Sequence, residues 1–157
     1  GGDVVITAGH SFAKTGGAVS IATGEGTTDT SAAVIVKTMN AGTTGVSGML
    51  SFTSGTTSSG SSGHFNLFTG SATNGKGGDM LLSIGSGTTY TGGDIVMTAG
   101  LSTATSVGTG GAVSVSTGEG YKTSSGAVIV KTLDAGLLGV SGALRFTSGT
   151  TSNGGSG

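Results

Sequence analysis

The feature that most constrains this chain is a repeat of about fifteen residues that runs along its whole length. Each repeat begins with a small residue, called position zero here, and successive repeats start 15, 16 or 18 residues apart. A unit this short cannot bury a core of its own, so the period favours an array of stacked repeats. The repeats start at Gly2, Gly17, Ala32, Gly48, Gly63, Gly78, Gly93, Gly111, Gly126, Gly142 and Gly157.

A second, longer period contains the first. Residues 16–60 match residues 110–154 at 31 of 45 positions, with an offset of 94 residues. Within these stretches, the segments Ala33–Thr38 and Ala127–Thr132 are identical. Six short repeats span the offset, so the long repeat is made of six short ones.

Within each repeat, apolar residues occupy every second position near the start. Positions two and four are apolar in all ten repeats, and position six is small in nine of them. Alternation with a period of two over about six residues predicts a β-strand. The remainder of each repeat is rich in Ser, Thr, Gly and Asn, which favour bends and turns.

Together these patterns predict an all-β fold, a parallel β-solenoid (β-helix) of about ten 15-residue coils with six coils in each 94-residue long repeat. Residues one repeat apart would then lie over one another, about 4.8 Å apart. We expect residues 1–157 to form a single uncapped solenoid segment, part of a longer array. The unpaired strand edges at its ends would favour end-to-end stacking. The sequence leaves the handedness of the coil open.

Composition narrows the classes of function. Gly, Thr and Ser supply 35, 27 and 23 of the 157 residues, only 8% are charged, and the formal net charge is -1. A chain this neutral lacks the basic surface that binds nucleic acid or anionic lipid. It contains no Cys, and no apolar run approaches the about 18 residues of a membrane span. We therefore expect no cofactor, no nucleic-acid partner and no membrane span.

Several motifs resemble a known class of repeat. Residues 1–9 read Gly-Gly-Asp-Val-Val-Ile-Thr-Ala-Gly, and the stretches Asn40–Gly48 and Phe52–Gly60 are similarly built. These motifs resemble the Gly/Ser/Thr repeats of large secreted proteins of diatoms and related algae, some of which are associated with adhesive trails or the cell wall. The resemblance implies an extracellular, secreted, fibrous or adhesive protein. It supplies no catalytic residue.

Stacked coils would align equivalent positions into columns, and one column carries ionisable groups. Position one places His64, Asp79 and Asp94 on three consecutive repeats. A His with two carboxylates in line suits a divalent cation or an acid–base pair, the latter in the manner of a β-helical polysaccharide enzyme. Alternatively, an Asp after Gly-Gly caps a turn through its own backbone. We favour capping, and expect neither a metal site nor catalysis.

A column at position three faces away from the predicted core. Five of its ten residues are sizeable aliphatic side chains, and a stripe of this kind favours packing against another surface. We expect lateral contact with a neighbouring solenoid or a flanking segment. The five residues are Val5, Ile35, Leu81, Val96 and Ile129.

The sequence thus favours a structural repeat protein that forms an extracellular filament, matrix or adhesive fibre without catalysis. Its expected partners are other copies of itself, joined end to end and laterally, and an extracellular glycan or mineral surface. The alternative is a binding module that uses one solenoid face to bind ice, glycan or mineral.

Ice binding is the most easily tested form of this alternative. It requires a flat row with Thr in nearly every coil, but the position-five row is interrupted by Lys37, Phe68 and Lys131. We expect solutions of the chain to show no thermal hysteresis in nanolitre osmometry. A gap between the melting and freezing points would favour the ice-binding alternative.

Overall fold

A computed structural model describes residues 1–151 and 154–155 of the chain. The last predicted repeat start, Gly157, lies outside these residues. By its internal contacts the chain divides into two parts, Gly1–Met80 and Leu81–Gly157. The features below recur within each part.

The described residues of both parts contain no helix and no β-strand. The prediction of an all-β parallel β-solenoid, or β-helix, is therefore wrong. A solenoid needs ladders of backbone hydrogen bonds between residues one repeat apart. The backbone–backbone hydrogen bonds of the described residues instead lie within single loops.

The fifteen-residue period is visible in the backbone as a bend or turn late in each repeat. We call the stretch around it the loop, and the preceding positions one to six the arm. The chain thus alternates between an apolar arm and a loop of small and polar residues. Such residues favour turns. The bends and turns lie at residues 12–14, 27–29, 43–44, 58–60, 73–75, 88–90, 105–107, 121–123, 137–138 and 154.

The loops close on themselves, because the Gly that opens one repeat returns to position six of the repeat before it. A methyl group on Gly63 would lie 3.9 Å from Ser54 Cβ, and one on Gly78 would lie 3.6 Å from Thr69 Cβ. We call this meeting point the loop neck. Close approach at the neck explains why position six is small in nine repeats. The same approach occurs at Gly17, Gly48, Gly93, Gly111, Gly126 and Gly142.

Hydrogen bonds reinforce some of the necks. The N–H of Gly17 donates to the carbonyl oxygen of Gly9 over 2.8 Å, and the N–H of Gly126 donates to that of Gly118 over 3.2 Å. Each of these bonds joins the two ends of one loop. Compact loops whose ends lie close together are a common way for a chain to reverse.

The loop between Ser54 and Gly63 shows how the arms are oriented. Beyond its neck, the rings of Phe52 and Phe65 lie 6.4 Å apart between centroids. The neck pair, Ser54 and Gly63, and the ring pair, Phe52 and Phe65, are each placed symmetrically about the middle of the loop. The two arms that flank this loop therefore run in opposite directions. The solenoid prediction required successive arms to run in the same direction, and it fails here because the loop reverses the chain.

No side chain of the described residues is buried, so the predicted core at positions two and four does not form. The accessible surface is 15754 Å² for a mass of 14.7 kDa. A compact chain of this mass would expose about 6,900 Å², and an unfolded one about 21,000 Å². Within residues 1–151 and 154–155, the only half-buried residues are small ones in the loops or at their necks: Ala8, Ser11, Ala41, Ala99, Ser102 and Gly120.

The tightest neck offers a test of this loop geometry. A methyl group on Gly93 would lie 2.9 Å from Ile84 Cγ2, closer than carbon atoms pack. We expect Gly93→Ala to open the neck and abolish the nuclear Overhauser effect between Ile84 and residue 93. The matched control is Gly92→Ala, because a methyl group there meets nothing within 4 Å. Retention of the Ile84 contact in Gly93→Ala would contradict the structure.

Candidate functional site

The largest candidate surface of this chain is formed by the apolar side chains of its arms. In one arm, Val34 and Val36 are 55% and 57% exposed, whereas Ile35 between them is 77% exposed. The identical arm around Ile129 repeats this alternation, with Ile129 at 78%. Neighbouring side chains therefore point to opposite sides of the arm, and both sides are apolar.

All five residues of the predicted lateral-contact stripe are exposed in the structure. None of the five is less exposed than Ile35, and Leu81 is the most exposed. Leu81, Val96 and Ile129 lie in the part Leu81–Gly157, and Val5 and Ile35 lie in the part Gly1–Met80. The side chains are thus accessible to a partner, and their lateral contact stays a prediction.

The backbone of the arms is equally accessible. Among the described residues, no N–H or carbonyl group of an arm takes part in a hydrogen bond. Exposed backbone groups without partners can pair with another extended segment, as the edge of a β-sheet does. An arm therefore offers a partner both apolar side chains and a row of free donors and acceptors.

The predicted column of His64, Asp79 and Asp94 is not formed as a group of neighbouring side chains. Asp79 pairs with Lys76, whose Nζ lies 2.7 Å from Asp79 Oδ1, and both side chains are 78% exposed. Water screens such a pair, so it contributes little to stability. His64 and Asp79 belong to one part of the chain and Asp94 to the other. Across residues 1–151 and 154–155, no three His, Asp or Glu side chains gather as possible metal ligands.

The cation interpretation of this column depends on stacked coils, which the structure does not contain. It gains no geometric support and stays a prediction from the sequence. The flat Thr row of the ice-binding alternative also requires stacked coils. The described residues do not form that solenoid face, and ice binding itself stays an alternative that the thermal-hysteresis measurement tests.

Sequence reasoning missed the closed loops, although their signal is present in the repeat. A methyl group on Gly26 would lie 2.5 Å from the carbonyl oxygen of Asp29, and one on Gly120 would lie 2.5 Å from that of Ser124. These two glycines are 94 residues apart, so equivalent loops of the long repeat fold alike. Only a residue without a side chain tolerates so close an approach of the backbone. The signal in the sequence is the Gly-Glu-Gly motif, which recurs at residues 24–26 and 118–120.

Two further features complete the surface. Within the residues that the structure describes, there is no enclosed pocket, and no helix has the length and hydropathy to cross a bilayer. In the first loop the rings of His10 and Phe12 meet edge to face, 4.7 Å apart between centroids. This contact is local to the loop and brings no second ionisable group to His10.

Comparison of the chain with protein-family models, with curated proteins and with solved structures found no match.

Because the described backbone groups of the arms form no hydrogen bonds, their amides should exchange hydrogen rapidly. In dilute solution we expect the arm amides, such as those of Val34 and Ile129, to exchange at nearly the rate of an unfolded peptide. The amides of Gly17 and Gly111 donate hydrogen bonds of 2.8 Å and should exchange more slowly. NMR-detected exchange measures both, and strongly protected arm amides in the monomer would contradict the structure.

Proposed function

We propose that this chain is a structural repeat segment of an extracellular filament, matrix or adhesive fibre, and that it works by self-association without catalysis. The observation that carries this proposal is the array of exposed apolar arms, one in every repeat, on a chain with no buried side chain in its described part. Arms of this kind repeat the same binding chemistry at regular intervals.

The exposed area supports association as the chain's role. Burial of apolar surface is the main favourable term in folding and in most protein association. The chain exposes more than twice the area of a compact monomer of its mass. Copies that cover one another's arms would gain the burial that the isolated chain lacks.

The charge distribution supports the same role. The net charge is -1 and charged residues make up 8% of the chain, so mutual repulsion between copies is weak. The resemblance of the repeats to those of large secreted algal proteins supports the extracellular location. It also supports an adhesive or wall-associated setting.

The proposal predicts assembly that depends on concentration and is driven by apolar burial. Burying two aliphatic side chains per copy would contribute about 3–6 kcal/mol, or roughly two to four orders of magnitude in the dissociation constant. We expect sedimentation velocity and electron microscopy to show extended assemblies. Sodium sulfate should promote assembly more than sodium chloride of equal ionic strength, because sulfate strengthens apolar burial.

A matched variant separates the arms from the loops. Replacing the position-two and position-four residues of all ten arms with Ser keeps the length, the net charge and every loop. This variant should remain monomeric at concentrations at least about 100-fold higher than those at which the parent assembles. A parent chain that stays monomeric at all attainable concentrations would refute the proposed function.

A further inference from the structure

Two arms of the chain are identical over six residues, and each of its two parts contains one of them. Ala33–Thr38 lies in the part Gly1–Met80, and Ala127–Thr132 lies in the part Leu81–Gly157. Both read Ala-Val-Ile-Val-Lys-Thr, with three consecutive β-branched residues and neither Gly nor Pro. Short segments of high β-propensity and low charge are those that pair most readily with copies of themselves. We call these two segments the twin arms.

We propose that each twin arm pairs as a β-strand with a twin arm of a second copy of this chain, in an antiparallel register centred on Ile35 or Ile129. This inference rests on the proposed function and names the partner and the residues through which copies associate. The pairing creates strands between copies that neither copy has alone.

The structure leaves the twin arms ready for such pairing. Ile35 and Ile129 are 77% and 78% exposed, and the valines beside them are more than half exposed. The described structure gives these arms no backbone hydrogen bonds. An extended segment with free N–H and carbonyl groups is a template for another strand.

The partner that pairs with a twin arm is a second copy of the chain, for two reasons. The chain has a large unburied surface, and the sequence of the twin arms is complementary to itself. The exposed 15754 Å² exceeds that of a compact chain by roughly 8,800 Å². A stable interface between two proteins buries about 1,600 Å² in total. Several such interfaces would fit within this excess. A glycan or mineral surface would leave the aliphatic side chains of the twin arms unburied.

The sequence of the twin arms selects the antiparallel register. Val-Ile-Val reads the same in both directions, so pairing about Ile35 places each Val34 opposite a Val36 and keeps both on one side. It also places Lys37 opposite Ala33. Parallel pairing in register would instead place Lys37 opposite Lys37, and like charges directly opposite each other destabilise a strand pair.

Two twin arms per chain make the association open-ended. A chain with one pairing segment forms a closed two-fold dimer, in which each copy satisfies the other. A chain with two such segments links two neighbours and extends the assembly. The 94-residue repeat thereby sets the spacing of the links along the chain.

The first experiment compares charged variants of the full chain by sedimentation velocity. Ile35→Lys or Ile129→Lys alone should stop growth at the dimer, and the double variant should raise the concentration needed for assembly at least about tenfold. The matched control is Ser20→Lys with Ser114→Lys, which adds the same charges at position three, also 94 residues apart. We expect the control to assemble like the parent.

The outcomes separate this inference from the proposed function. A parent chain that never assembles refutes both. If the parent and the Ile35→Lys/Ile129→Lys variant assemble alike, the twin arms are not the pairing sites, and other arms carry the association. Equal loss of assembly in the Ser20→Lys/Ser114→Lys control would assign the effect to charge and also overturn the inference.

The second experiment tests the register by disulfide cross-linking, since the chain contains no Cys of its own. In an Ile129→Lys background, Ile35→Cys should form a covalent dimer on mild oxidation, because residue 35 lies opposite its counterpart. Ala33→Cys should not, because antiparallel pairing separates the two copies of residue 33 by about 13 Å along the strands. Equal cross-linking at both positions, or dimers that cross-link at neither, would overturn the antiparallel register.

Discussion

The structure depends on one recurring contact, the close approach at each loop neck between a position-zero residue and position six of the preceding repeat. This approach is possible because position zero is almost always Gly and position six is almost always small. At the loop between Ser54 and Gly63 it reverses the chain, as the contact between the rings of Phe52 and Phe65 shows. The opposite directions of the two arms that flank this loop follow from the reversal.

The local part of this arrangement was predictable from the sequence. The alternation of Val34, Ile35 and Val36 predicts side chains on opposite sides of an arm, and their exposed fractions alternate accordingly. The run of Gly, Ser and Thr after each arm predicts a bend, and one recurs in each repeat. Both patterns depend on residues a few positions apart, where local sterics decide the conformation.

The arrangement of the repeats was not predictable in the same way. A period shows which residues are equivalent, but it does not show whether equivalent residues touch. Gly63 was expected to lie over Gly48, one repeat before it, yet it meets Ser54 at the neck of its own loop. Small residues at position six are compatible with stacked coils, but closure of the loop requires the same residue sizes. The predicted column of His64, Asp79 and Asp94 depended on stacked coils. Without stacked coils, these three side chains are not aligned as predicted.

The loop necks also determine how such a chain would respond to a pulling force. The loop between Gly9 and Gly17 is held shut by one hydrogen bond of 2.8 Å and by contacts of small side chains. Opening this loop would free eight residues, which span about 27 Å when fully extended. Necks that yield one after another would let a strained thread lengthen and dissipate work before any covalent bond bears the full load.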